Sequence, residues 1–139
     1  MAMSNESVEK LIEKTGAAII SSIDEKGFPN TKAMLPPRKR EGLKVFYFST
    51  NTSSMRVTQY RKEKKACIYS FDKRFYRGVM LIGTMEVLVD RKTKEMIWRD
   101  GDTLYYPLGV IDPDYCVLKF NAQRMRTYQN FNSKTVDIT

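Results

Sequence analysis

Apolar positions along the chain first recur at helical spacing. Val8, Leu11, Ile12 and Thr15 share one face of residues 4–16, acids come early and lysines late, and Gly16 supplies a stop. An amphipathic helix is predicted there. Residues 17–23, AAIISSI, read as a short strand, Asp24-Glu25-Lys26-Gly27 as a turn, and residues 29–35 as a second strand closed by Pro36-Pro37. The two strands make a hairpin. A basic loop, 38–42, leads to a run of β-formers, Leu43-Lys44-Val45-Phe46-Tyr47-Phe48, then a hydroxyl and amide cluster over 49–54, then helical spacing at Val57, Tyr60 and Arg61.

The second half continues in strands. Residues 65–71 form one, a polar and aromatic loop spans 72–78, and the longest β signal, VMLIGTMEVLVD, covers 79–90 with Gly83 at an expected bend. Residues 91–99 are helical and 100–114 turn-rich. The last strand is 115–120, continued over 125–128 after a bulge around Asn121, and the tail 130–139 is polar and expected to fray. Strands outnumber helices and short turns join them, so the expected fold is mainly β: a small antiparallel barrel with peripheral helices, in one domain over 1–139.

The stretch 43–62 contains no acidic residue. Ser53 or Ser54 is its natural N-cap. If Ser53 caps, Arg56 stands at the third helical position, where a cation opposes the helix dipole. An anion between the free amides and the guanidinium removes the conflict, and phosphate is the usual occupant of such a helix start. Two readings remain open: a phosphate-binding turn, or an ordinary capped helix with one exposed Arg.

Composition narrows the chemistry. The 139 residues are 42% hydrophobic and 29% charged, and neither a signal core nor a membrane-length apolar run occurs, so a cytoplasmic protein is expected. Histidine is absent, which excludes Ser-His-Asp and Cys-His mechanisms and the common His-containing zinc sites. Cys67 and Cys116 lie in β-like runs with no C-x-x-C spacing and read as buried reduced thiols. The net charge of +8 attracts polyanions or phosphorylated small molecules. The basic clusters are scattered through loops, and no nucleic-acid-binding motif, G-x-G-x-x-G or P-loop occurs.

In order and spacing these pieces resemble the pyridoxamine 5′-phosphate oxidase-like FMN-binding split barrels, most of all the general stress protein 26 branch. The likeness runs through the first helix, the GAAIISSIDEKGFP hairpin, Ala33-Met34-Leu35, Phe46-Tyr47-Phe48-Ser49-Thr50-Asn51, Ser54-Met55-Arg56, Gly83, Tyr106-Pro107-Leu108-Gly109 and Asp112-Pro113-Asp114. It implies a split antiparallel β-barrel with an FMN site formed by Lys32, Ala33, Met34, Leu35, Phe48, Ser49, Thr50, Ser53, Ser54 and Arg56. The polar turn would take the phosphate, and the backbone of 32–35 would lie along the flavin ring. It further implies a homodimer with flavin sites at its interface. The family more often has Lys where this chain has Arg56; Arg serves the same anion with bidentate geometry. The oxidases proper carry an Arg- and His-containing substrate motif, so a vitamin B6 oxidase is not expected of a chain without His. The Gln often found where the long strand begins is missing around Gly78–Met80.

The resemblance thus points to an FMN-dependent oxidoreductase acting on a small molecule through the flavin. The alternatives are a flavin-binding or stress-related carrier without turnover and, less favoured, a basic nucleic-acid-binding barrel. F420 or haem in place of FMN occurs in relatives. Other residues have ordinary readings: Trp98, Tyr105 and Tyr106 as hydrophobic packing, Met34 and Met80 as core, Glu86 as a solvent-facing or paired charge, and Arg38-Lys39-Arg40 as a solvated loop.

Overall fold

The computed structural model describes residues 3–138. Met1, Ala2 and Thr139, the ends of the expected domain and tail, lie outside the described residues. Helix α1, Asn5–Lys14, starts where Ser4 accepts a hydrogen bond from the Ser7 amide and buries Val8, Leu11 and Ile12. Strands β1, Ala18–Ile23, and β2, Pro29–Met34, form the hairpin. Asp24 fixes its turn by accepting from the amides of Lys26 and Phe28 at 3.0 and 2.9 Å. Then come β3, Lys39–Glu41, β4, Val45–Asn51, helix α2, Met55–Lys62, β5, Lys65–Asp72, and β6, Arg77–Leu88. Helix α3, Arg91–Ile97, and two 3₁₀ turns, Asp102–Leu104 and Gly109–Ile111, precede β7, Tyr115–Gln129, and β8, Asn132–Asp137.

All strand pairs are antiparallel, in the order β2-β1-β5-β6-β7-β4-β3, with β8 paired to β7. The long β7 therefore lies between β4 and β6. Its bulge falls beside Gly83: Ile82 pairs with Arg124 and Gly83 with Ala122, leaving Gln123 as the extra residue. A Cβ on Gly83 would sit 1.9 Å from the Asn121 carbonyl oxygen, so only glycine lets the two strands approach this closely.

Strand β4 is apolar on both faces because both are covered. Phe46 and Phe48 join Ile20, Leu81, Met85 and Phe120 inside the barrel, where α1 and α2 contribute Val8 and Val57. Val45 and Tyr47 face a second core with Ile97, Tyr106, Tyr115 and Val117. Trp98 closes that core, its ring 5.3 Å from Tyr115, while Tyr106 lies 4.7 Å from Tyr115. Packing is thus the structural role of Trp98 and Tyr106; Tyr105 is exposed.

Several local expectations need correction. The basic loop 38–42 contains β3, a short all-charged strand held by its ladder to β4. Its arginines are not solvated: Arg38 makes a bidentate pair with Asp102 at 2.8 and 2.8 Å, and Arg40 bridges Glu9 and Glu13 of α1. The polar tail does not fray at 132–137 but forms β8. Cys116 is buried as expected, whereas Cys67 is only half-buried. Met34 is core, Met80 half-buried, and Glu86 is exposed and accepts from Asn121.

Candidate functional site

Between the hairpin and the opening of α2 the barrel leaves a cleft of about 500 Å³. Its walls come from Ile20 and Ser22 on β1, Asn30, Thr31 and Lys32 on β2, the turn after β4 at Asn51 and Ser53, and Ser54, Met55, Arg56 and Gln59 on α2. Two cations line it, and no carboxylate does among the described residues.

Ser54 is the N-cap, accepting from the Val57 amide at 3.4 Å. Arg56 therefore occupies the second helical position, among the first-turn amides that have no intrahelical acceptor. No acid stands in that turn to balance the positive helix end. Arg56 donates through Nη2 to Thr50 Oγ1 at 3.2 Å, while its Nε is buried without a partner. A buried guanidinium donor left unsatisfied is costly unless something in the cleft accepts from it.

The turn is clamped from the start of β7. The Asp114 carboxylate accepts from Ser53 N at 2.8 Å and Asn51 Nδ2 at 2.9 Å, and its carbonyl accepts from Thr52 N at 2.8 Å. The Asn51 side chain, then Ser53, holds the Asp114 carboxyl below the usual carboxylate range. Asp112 supports Asp114 in turn, accepting from its amide at 2.9 Å, while buried Lys94 donates to the Asp112 carbonyl at 3.2 Å. On the cleft floor Ser22 donates to Gln59 in a short hydrogen bond. Tyr60 donates to the Ser21 carbonyl at 2.7 Å, and burial pushes its hydroxyl pKa up.

Of the ten residues expected from the sequence, Lys32, Ser53, Ser54 and Arg56 line the cleft, and Thr50 is reached through Arg56. The others lie elsewhere. Met34 and Phe48 are buried in the barrel core, and Leu35 is exposed just beyond β2. Ala33 faces a different groove. Ser49 has the strand parity of Val45 and Tyr47, so it points to the outer core and hydrogen-bonds Tyr106. Burial raises that Tyr106 hydroxyl to about 12. Ser22, Asn30 and Gln59 went unnoticed in the sequence, and Asn51 was read as part of the turn without being counted as a site residue. Ser22 and Asn30 face each other across the hairpin.

The donors suit an oxygen-rich anion: a guanidinium with an unused buried N–H, an ammonium and two hydroxyls around one helix start. A phosphate group fits this set.

The fold is a split antiparallel β-barrel, and the family model for pyridoxamine 5′-phosphate oxidase matches residues 4–129; the chain belongs to that family. It is 40% identical, over 98% of its own length and 97% of the other's, to a Clostridium acetobutylicum protein related to general stress protein 26 of B. subtilis (TM-score 0.87). General stress protein 26 from Bacillus anthracis shares the fold at 16% identity over 96% of this chain and 98% of that one (TM-score 0.77). A haem-binding protein from Mycobacterium smegmatis does so at 14% identity over 99% of this chain and 59% of that one (TM-score 0.74). No curated protein matches the chain. Among the described residues no helix is long and apolar enough to cross a membrane.

Proposed function

We propose that this chain is an FMN-binding flavoprotein, a single domain that acts as an oxidoreductase on a small molecule. The observation that carries the reading is the buried Nε of Arg56 at the opening of α2, which has no partner in a cleft lined by no carboxylate among the described residues. Arg56 and Lys32 would hold the FMN phosphate, with Ser53 and Ser54 donating hydroxyl hydrogen bonds. Asp114 would keep the turn in shape. A bound flavin would supply hydride or single-electron transfer, and the protein would bind it, orient it and limit its access to water. We further propose a cytoplasmic homodimer whose second copy covers the open side of the cleft, where Met55 is 71% exposed.

Haem is the other ligand that a relative's description raises. The usual axial ligands are His, Cys, Met and Tyr. This chain has no histidine, and of the other three types only Met55 lines the cleft among the described residues. The donor set thus favours a phosphorylated ligand over an iron porphyrin.

The test is titration of purified protein with FMN, followed by quenching of flavin fluorescence, and with haemin, followed by its visible absorption. Saturable FMN binding is expected. Arg56→Ala should weaken it by about 2–3 kcal/mol, roughly 30- to 150-fold, through loss of charge-assisted contacts. Unchanged FMN affinity in that variant, or haemin binding tightly while FMN does not, refutes the assignment. Anaerobic reduction of the loaded protein by NADH or NADPH separates an oxidoreductase from a carrier that does not turn over.

A further inference from the structure

Two hairpin tips stand side by side at one end of the sheet. The first joins β5 to β6: Asp72 pairs with Arg77, and residues 73–76 make the turn. The second joins β7 to β8: Gln129 pairs with Asn132, and Asn130 and Phe131 make the turn. The tips are neighbours because Gly78 of β6 pairs with Tyr128 of β7. Three aromatic side chains project from these turns, and none of them lines the cleft: Phe75 is 58% exposed, Tyr76 78% and Phe131 94%. One such ring on a surface is ordinary, but three on adjoining tips mark a contact surface.

The backbone holds these rings out under strain. Among the described residues, the only non-glycine positions with positive φ are Tyr76 at 52°, Asn130 at 50° and Phe131 at 65°, all in the two turns. A two-residue hairpin turn with both φ values positive is of type I′, which asparagine followed by glycine suits best. Asn130 meets that pattern. Phe131 stands where glycine is at home, a bulky side chain in the left-handed region that buries almost nothing. Folding gains nothing from that choice, so a contact outside the chain has to account for it.

The charge at this end selects the contact. Lys73 and Arg74 belong to the first tip and Lys134 lies just past the second, and none has an ion-pair partner among the described residues. The one acid within 72–77 and 126–134 is Asp72. It is engaged by Arg77 at 2.9 Å and accepts from the Arg74 amide at 3.0 Å, which fixes the turn. The guanidinium groups of Arg74 and Arg77 lie 5.1 and 5.2 Å from the centre of the Phe75 ring. A second copy docked about a two-fold axis would set this surface against itself, cations facing cations. Aromatic tips flanked by basic residues instead match the interfacial zone of a bilayer, where rings settle at headgroup depth and lysine and arginine meet anionic lipid.

We propose that the two tips form a peripheral docking surface for an anionic membrane. Phe75, Tyr76 and Phe131 enter the headgroup layer, and Lys73, Arg74 and Lys134 face the phosphates of acidic lipids. Contact of this kind is reversible and needs no spanning helix. The proposal does not depend on what the cleft binds.

Cosedimentation of the purified full chain tests it, with vesicles of phosphatidylcholine carrying roughly 30% phosphatidylglycerol and with vesicles of phosphatidylcholine alone. Saturable binding to the acidic vesicles is expected, weaker by about tenfold or more with the neutral ones. Phe131→Gly should weaken binding by about tenfold and leave Tm unchanged or higher, because glycine relieves the turn. Lys73→Glu should weaken it by about fivefold or more. Lys92→Glu, on α3 beyond the other end of β6, is the control and should change it by less than about twofold. No binding to acidic vesicles, equal binding to neutral ones, unaltered binding by Phe131→Gly, a lower Tm in that variant, or equal losses from the two lysine variants overturns the proposal. So does a change of oligomeric state in Phe131→Gly, which assigns the tips to a second copy. Tighter binding of a single-stranded oligonucleotide through the same residues overturns it too, in favour of nucleic acid.

Discussion

Replacing Asp102 by Ala should cost this protein more stability than most single changes. Asp102 and Arg38 have side chains only 5% and 10% exposed, and they meet through two hydrogen bonds of 2.8 Å. Asp102 also accepts from the Arg99 amide at 2.9 Å, and the Arg99 guanidinium donates to the Arg38 carbonyl at 2.9 Å. The variant would leave a guanidinium buried without its carboxylate, a loss of about 3–5 kcal/mol. The slight exposure of Arg38 lets water in, so the low end, about 3 kcal/mol, is expected. For a chain of this size that corresponds to a fall in Tm of roughly 10 °C.

The pH dependence fixes the mechanism. Hydrogen bonding to Arg38 holds the Asp102 carboxyl below its usual range. A depressed carboxylate stabilises the fold above its unfolded pKa, and that contribution is lost as pH falls through the lower folded value. The Tm gap between wild type and Asp102→Ala should therefore be full near neutrality and narrow progressively below about pH 4. The double variant Arg38→Met, Asp102→Leu, which removes both charges, should recover most of the loss. Calorimetric melts of the three proteins across pH decide the matter. A single variant within about 2 °C of wild type, a gap that ignores pH, or a double variant no better than the single refutes the argument.

Three further outcomes follow from individual contacts. Ser54→Ala should lower stability by about 0.5–1 kcal/mol in denaturant titration, toward the low end because the bond it removes is 3.4 Å long. Gly83→Ala should cost at least about 3 kcal/mol or abolish soluble expression, because its Cβ meets backbone; Gly16→Ala, with nothing within 4 Å, is the tolerated control. Burial pushes the Cys116 thiol pKa up, so a thiol reagent should modify Cys67 in the native protein and reach Cys116 only after unfolding.

Features written in local sequence were legible, and those made by distant partners were not. Ser4 and Ser54 announce their helices because a cap acts within three residues. The hairpin was plain from two β runs around Asp24 and Gly27. Gly83 marked the bend, although the bulge lies at Gln123 rather than Asn121. Strands β3 and β8 were missed because Lys39–Glu41 and Asn132–Asp137 bury almost nothing; partner strands alone hold them. The pairing of Arg38 with a carboxylate 64 residues away has no local signal at all. At the cleft, the polar turn and Arg56 were readable as one candidate site, because they lie within a few residues of one helix start. That Ser49 turns its back on Thr50 became clear only once both faces of β4 were seen to be covered.

The placement of β7 has a consequence for how the chain is made. Strands β4 and β6 precede it in the sequence, yet each finds a neighbour in it. On the ribosome, those two strands must wait with unsatisfied edges until Tyr115 and the residues after it have emerged. Closure of the barrel is therefore a late event, and apolar strands such as Val45–Asn51 stay open to wrong partners during synthesis.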